Sequence, residues 1–252
     1  MSDPLAFLTG KIVVVIGGSS GIGFAVADAA LLQGASVIIS SSSNTKLTTA
    51  KERLSSNHPD RSIRAHQVDT RVPESIKNFF NHIGKFDHLV WTAANGPGPD
   101  FLTSPPETQR GIFDIAFWGL TIAAHHIHQH GLIHPGGSIT NTSGTTTRRP
   151  TPGWTLIQAV GGAQEVLARS LAVELKPIRV NTVSPGVVDT EFWNADAEGS
   201  GIRDYVFGAV SQSVPVGRVG TPSELAEAYL FAMKCSYLNG QNIVVDGGGL
   251  LV

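Results

Sequence analysis

Ile12-Val13-Val14-Val15-Ile16-Gly17-Gly18-Ser19-Ser20-Gly21-Ile22-Gly23 is the stretch on which the fold turns. Its first five residues form an unbroken apolar run, the pattern of a parallel strand covered on both faces. After the glycines, Ile22, Ala25, Val26, Ala29 and Ala30 set a small-residue stripe at helical spacing that ends near Gly34. In a strand–turn–helix context each glycine has a reason. Gly17 permits the tight turn, Gly21 lets the backbone approach a pyrophosphate, and Gly23 lets the helix pack closely on the strand. The helix start, with Ser19, Ser20 and Ile22 beside these glycines, offers unpaired N–H groups and a positive dipole end to that anion. The expected ligand is a dinucleotide.

The same alternation runs outward to both ends of the chain. Strands are expected at Val37–Ile39, Ile63–Val68, Leu89–Trp91, Ser138–Asn141, Arg179–Val183 and Asn242–Val245. Helices are expected at about Thr45–Leu54, Pro73–Ile83, Gln109–Gln129, Trp154–Glu174 and Ser223–Met233. Strands separated by helices imply right-handed crossovers, hence an α/β fold with a doubly wound, seven-stranded parallel sheet and helices on both faces. No repeat or composition shift divides the chain, so residues 1–252 are read as a single Rossmann domain. Two segments break the rhythm: the Gly/Pro-rich Gly96–Pro106, and Thr190–Val214, which carries Phe192, Trp193, Tyr205 and Phe207 among polar residues. Both follow strands and should lie at the carboxyl edge of the sheet, where such folds bind ligands. The second is read as a substrate loop at about 190–214.

Composition limits the partners. The chain has 252 residues, 41% of them hydrophobic, and a net charge of -2 with mixed signs. No one-sided basic surface is present, so nucleic acid is not an expected partner. The first ten residues lack a basic-then-apolar pattern, and no apolar stretch approaches ~20 residues, so neither a signal peptide nor a membrane span is expected. The lone Cys235 excludes an intrachain disulfide, which suits a reducing, cytoplasmic setting. Among His125, His126, His128, His130 and His134, the i, i+4 pair lacks the acidic partner of a helical zinc motif, so no metal is expected.

The end of the second strand selects the cofactor. A carboxylate there would bind ribose hydroxyls and repel a 2′-phosphate. The chain instead reads Ser40-Ser41-Ser42-Ser43-Asn44, followed by Lys46. Ser41, Ser42, Ser43 and Lys46 favour NADP(H) over NAD(H).

At this point the chain resembles a short-chain dehydrogenase/reductase over nearly its whole length. The resemblance rests on Ile16-Gly17 through Gly23, on Asp69, on Ser184-Pro185-Gly186-Val187-Val188-Asp189-Thr190, on Arg179-Val180-Asn181 and on Val245-Asp246-Gly247-Gly248. It implies that Asp69, with Thr70, contacts adenine, that Ala93 follows the fourth strand beside the cofactor, and that Pro185, Gly186, Val188 and Thr190 border the nicotinamide. It also implies a homotetramer or homodimer built on the two long helices.

The family's catalytic tetrad is missing from this resemblance. Registered on Arg169-Ser170-Leu171-Ala172, the tyrosine position holds Ile157 and the lysine position Gly161. The serine position holds Gly144, with Ser143 one residue before it, and the helix asparagine becomes Ala116. Ketone reduction generates an alkoxide that needs a proton, which a tyrosine with a lowered pKa supplies. Ile157 donates nothing. An iminium acceptor avoids the problem, because hydride neutralises it directly. Tyrosine-less fungal relatives that combine iminium reduction with cyclisation in indole-alkaloid pathways are similar in this respect.

The candidates for the altered site are Ser143, Gln158, Glu165 and Trp154. Ser143 could bond substrate or merely stabilise a turn. Gln158 could face pocket or solvent. Glu165, one turn beyond Gly161, could balance a cationic substrate, act as an acid, or lie at a surface or subunit interface. Trp154, Trp118 and Trp193 could line an aromatic pocket suited to a cation or an indole-like ring, although core packing is the better reading of Trp118. Arg148 and Arg149 are read chiefly as solvated loop charges. The expected substrate is a small hydrophobic or aromatic molecule; the competing readings are a cyclase or isomerase that keeps the cofactor as a wall, and a non-catalytic cofactor-binding protein. Titration should show NADPH binding more tightly than NADH, and equal affinities would remove the 2′-phosphate reading.

Overall fold

The computed structural model describes residues 7–96, 98, 100–194 and 201–252. The strands are β1 (Ile12–Ile16), β2 (Ser36–Ser41), β3 (Ile63–Gln67), β4 (Phe86–Trp91), β5 (Ile133–Thr142), β6 (Arg179–Pro185) and β7 (Asn242–Val245). They form one seven-stranded sheet in the order β3-β2-β1-β4-β5-β6-β7. Every pairing in it is parallel. Helices α1 (Gly21–Leu32), α2 (Asn44–Asn57), α3 (Pro73–Ile83), α4 (Gly119–His130), α5 (Thr155–Glu174), α6 (Ile202–Ser213) and α7 (Pro222–Lys234) alternate with the strands. Two apolar clusters flank the sheet. One gathers α1 and α7 around Val13, Val15 and Val37; the other gathers α3, α4 and α5 around Val14, Ile16 and Leu89. Successive side chains of β1 therefore feed opposite cores, which is why its sequence is apolar throughout.

The order reverses at β1, whose neighbours are β2 and β4. The crevice beyond their carboxyl ends is the topological switch point, the usual ligand position of an open α/β sheet. Two segments depart from the sequence reading. The helix expected at Gln109–Gln129 is three pieces: a 3₁₀ segment at Pro106–Phe113, a π-helical turn at Asp114–Trp118, and α4. Gly119 explains the displacement. A Cβ there would stand 2.8 Å from Trp91 Cζ2 and 3.0 Å from Thr70 O, so the chain passes this point only as glycine. The widened turn leaves the Ala116 carbonyl to accept a hydrogen bond from the buried Gln164 side chain at 3.1 Å.

The second departure is α6, which lies inside the segment read as the loop Thr190–Val214. Gly201 at its start and Gly208 within it, among scattered aromatics, obscure a helical stripe. Residues 195–200 of that segment, 97 and 99 of the Gly/Pro-rich loop and 1–6 of the N-terminus lie outside the described residues. No helix among the described residues is long and apolar enough to cross a membrane.

Three buried polar residues of the sheet pair across elements. Arg179 donates to the carbonyls of Ala232, Met233 and Leu238, closing the end of α7. Asn141 donates to Gln164 O and accepts from the Thr182 hydroxyl. His88 of β4 lies opposite Ser138 of β5 and pairs with its hydroxyl at 2.9 Å. Burial holds the His88 imidazole neutral, lowering its pKa from 6.5 to about 4. Because the folded value lies below the unfolded one, this histidine's contribution is complete above pH 6.5 and is lost as pH falls toward 4. Urea unfolding of wild type and His88→Asn across that window should show a stability difference that shrinks at lower pH. A pH-independent difference would contradict a neutral, buried His88.

Candidate active site

The glycine turn is fixed by close contacts. The N–H groups of Gly17 and Gly18 both donate to Ser40 O at 3.0 Å, binding the turn to the end of β2. Gly17 has φ +87°, and a Cβ on it would stand 2.8 Å from Ala93 N and 2.9 Å from Thr92 Oγ1. A Cβ on Gly23 would overlap Gly17 O and Thr92 Oγ1. Thr92 and Ala93 both donate their N–H groups to Ile16 O, at 2.9 and 3.1 Å, so the chain after β4 wraps the turn. Helix α1 begins with no acidic residue in its first turn and no side-chain cap on Ser20. Its N-terminal donors therefore face outward, unclaimed by local side chains. An anion already occupies part of this cradle: the Glu191 carboxylate accepts from Gly21 N at 2.8 Å. The residues thus fit a pyrophosphate, since the backbone approach is open only to glycine and a carboxylate stands in for a phosphate oxygen.

At the end of β2, Ser43 caps α2 by accepting from Lys46 N, and Ser41 Oγ accepts from Ser43 N at 3.3 Å. Ser42 and Lys46 are exposed beside them. The serine run, Lys46 and the start of α2 therefore meet at one spot. Asp69 follows β3, but its carboxylate is engaged by Arg71 through Nε at 3.0 Å and Nη2 at 2.8 Å. This pairing holds its pKa below the ordinary carboxylate value. Thr70 is buried behind it.

At the end of β6, Pro185 closes the strand and Gly186 donates to Val245 O at 2.9 Å. Gly186 abuts Asp246 so closely that a Cβ would stand 2.9 Å from its Cα. Val188 is buried and its carbonyl accepts from Trp193 Nε1 at 2.9 Å. Thr190 faces α1, since its Cβ lies 3.2 Å from where a Gly21 Cβ would stand. The loop after β6 and the turn after β1 thus close on the same crevice.

Near the end of β5 is a cluster of hydroxyls around one carboxylate. Glu165 Oε1 is 3.0 Å from Ser143 Oγ, 2.7 Å from Thr147 Oγ1 and 3.5 Å from Ser184 Oγ, and each hydroxyl can donate to it. Ser143 Oγ is also 3.0 Å from Gly161 O, so its single proton is shared between two acceptors on α5. The space at Gly161 is filled: a Cβ would stand 2.8 Å from Thr147 Cγ2 and 3.1 Å from Ser143 Oγ. Ser143 and Glu165 are candidates on sequence grounds, whereas Thr147, Ser184 and Glu191 are not. Nothing in their spacing marks them, because they come from the segment after β5, the end of β6 and the segment after it.

The aromatic residues divide. Trp154 and Trp193 lie 5.8 Å apart at 33°, with Phe192 edge-on to Trp193 at 5.4 Å and Phe207 at 6.0 Å. Trp118 stands apart from this group, packs on Phe117 and is 52% exposed, which corrects its reading as a core residue. The large buried indole is Trp91 instead. Gln158 does not face the pocket: its amide donates to Thr151 O at 2.7 Å and accepts from Thr151 N at 3.1 Å, pinning the loop before α5. Arg149 donates to Gly249 O, and Arg148 is exposed. His126 pairs with Asn81, and His130 with the His126 carbonyl. Tyr229, hydrogen-bonded to Thr142, is fully buried, and burial pushes its phenol well above its ordinary pKa. Tyr205 and Tyr237 are exposed. Gly23→Ala should abolish dinucleotide binding, or weaken it more than a hundredfold by titration, because Gly17 and Thr92 must both move. Unchanged binding would show that the cradle is not the site.

The comparisons with known proteins agree with this geometry. A family model described as Enoyl-(Acyl carrier protein) reductase matches residues 16–249. Short-chain dehydrogenase/reductase fsr5 of Gibberella fujikuroi is 36% identical over 97% of this chain and 96% of its own length. Short-chain dehydrogenase/reductase malC of Malbranchea aurantiaca is likewise 36% identical, over 97% and 96%. Among solved structures, the MalC reductase/Diels-Alderase from that organism superposes with a TM-score of 0.89 at 32% identity, covering 98% of this chain and 99% of that one. A small-chain dehydrogenase in complex with NADPH gives a TM-score of 0.77 at 33% identity, covering 96% and 99%. With the glycine cradle, the sheet order and these relatives in agreement, the chain belongs to the short-chain dehydrogenase/reductase family.

Proposed function

We propose that this protein is an NADP(H)-dependent reductase whose acceptor is already cationic at the reacting centre, an iminium rather than a ketone. Glu165 carries the reading. The register that puts Gly161 at the family's lysine and Ile157 at its tyrosine removes a cation and a proton donor together. In their place stands a carboxylate steadied by Ser143 and Thr147. That exchange reverses the preferred charge of the site, from one that stabilises an alkoxide to one that tolerates a positive substrate.

When bound, the cofactor would supply hydride to the acceptor carbon. A C–H bond forms there, the C=N π pair moves onto nitrogen, and the positive charge disappears without a proton entering. The protein's own tasks are then few. Glu165 balances the charge of the acceptor, and its hydroxyl partners keep the carboxylate in place without offering a competing cation. Trp154 and Trp193, with Phe192 and Phe207, present flat faces that suit a delocalised cation or an indole-like ring. Ser41, Ser42, Ser43 and Lys46 at the start of α2, with no carboxylate among them, support NADP(H) as the cofactor, as does the NADPH complex among the structural neighbours. Exposed Val166 and Val173 on α5 support assembly into a homodimer or homotetramer through that helix.

A second reading is favoured by one observation. The structural relatives include a reductase/Diels-Alderase, MalC, and the aromatic cluster would serve equally as the wall of a cyclisation chamber. Product formed with NADP+ in place of NADPH would identify that activity.

The test is NADPH oxidation, followed by the loss of reduced-cofactor absorbance, with cyclic iminium ions and matched ketones. Iminium substrates should turn over and ketones should not. Glu165→Gln should lower kcat/KM by roughly 10- to 100-fold while leaving NADPH affinity unchanged. Ketone turnover without iminium turnover, or an unaffected Glu165→Gln enzyme, would overturn the proposal.

A further inference from the structure

The Glu191 carboxylate on Gly21 N ties the phosphate cradle directly to the aromatic wall. Glu191 opens the 3₁₀ segment Glu191–Asn194, so Phe192 and Trp193 are the next two residues on the same turn. Trp193 is fixed in turn by its indole N–H on Val188 O and by Phe207 of α6. Helix α6 is anchored through Arg203, which pairs with Asp189 at 2.7 Å and lies 4.5 Å above the Phe207 ring. One continuous set of contacts therefore runs from the N-terminus of α1 to the tryptophan pair Trp154 and Trp193.

We propose that Glu191 is an internal occupant of the phosphate cradle, displaced when the dinucleotide binds, so that cofactor entry repositions Phe192 and Trp193 at the substrate site. This inference rests on the dinucleotide-binding reading of the glycine turn. The carboxylate uses the donor that a phosphate oxygen needs, and two anions cannot share it. Bringing a pyrophosphate to Gly21 places like charges within a few ångströms of each other, well inside a Debye length, so they repel even at this exposed position. The cofactor-free protein therefore populates a self-liganded state, and apparent affinity is reduced by the fraction so occupied. The same contact satisfies an orphaned N–H group of α1 while no cofactor is present. Displacement releases the first residue of a turn whose next two side chains line the aromatic wall, which orders the binding events: cofactor first, substrate second.

Isothermal titration of wild type, Glu191→Gln and Glu191→Ala with NADPH and with adenosine 2′-monophosphate tests this. The second ligand has no pyrophosphate and should bind all three proteins alike. Both variants should bind NADPH more tightly, about fivefold to tenfold for Glu191→Ala. Cofactor-induced changes in tryptophan emission should be smaller in Glu191→Ala than in wild type, because the turn that carries Trp193 is no longer tied to the cradle. NADPH affinity that is unchanged or weakened in both variants would overturn the displacement while leaving dinucleotide binding intact. Failure of NADPH to bind any of the three proteins would overturn the cofactor reading, and this inference with it.

Discussion

Gly23 sits so close to the Gly17 carbonyl and the Thr92 hydroxyl that no side chain fits, and much of the molecule depends on that approach. It brings the start of α1 down onto the end of β1 and points the helix's unpaired donors into the crevice where the strand order reverses. Ser40 holds the turn from one side, and Thr92 and Ala93 hold it from the other. The same contact set joins β2, β1 and β4 at their carboxyl ends. A cradle built from backbone N–H groups is specified by what is absent, namely Cβ atoms, which is why glycine rather than any functional side chain dominates it.

A second cluster, of hydroxyls around one carboxylate, stands near the end of β5. In α5, Gly161 leaves room that Thr147 and Ser143 fill, and Glu165 collects their hydroxyls one turn further along. The arrangement has its own logic. A carboxylate that accepts from neutral hydroxyls keeps its full charge available to a ligand, whereas one paired to arginine, as Asp69 is to Arg71, does not. Trp154, Phe192 and Phe207 pack around Trp193 as a separate aromatic group. Since Glu191 precedes Phe192 and Trp193 directly, the two halves of the site are mechanically connected by adjacency in the chain.

Periodicity makes the frame legible. Strands with unbroken apolar runs and helices with regular stripes, such as β1 and α3, lie where their patterns put them, because burial on two faces or on one stripe leaves a local signature. The long helix before β5 departs from its pattern because its interruption is caused by distant neighbours: Gly119 yields to Trp91 and Thr70, and Gln164 of α5 satisfies the carbonyl at Ala116. Helix α6 is hidden by two glycines and an irregular spread of aromatics. Gln158 offers even odds between pocket and solvent from its position alone, and a backbone partner seven residues away takes both ends of its amide.

Sequence alone determined the sheet, the glycine cradle, and the serine run where a carboxylate would select against a 2′-phosphate. These are properties of short contiguous segments, and local pattern carries them. Tertiary structure decided which side chains meet. Thr147, Ser184 and Glu165 come together from three segments, and Glu191 reaches Gly21 across 170 residues of chain. Such contacts leave no periodic trace, because packing of whole elements, rather than any neighbour in sequence, brings the partners within hydrogen-bonding reach.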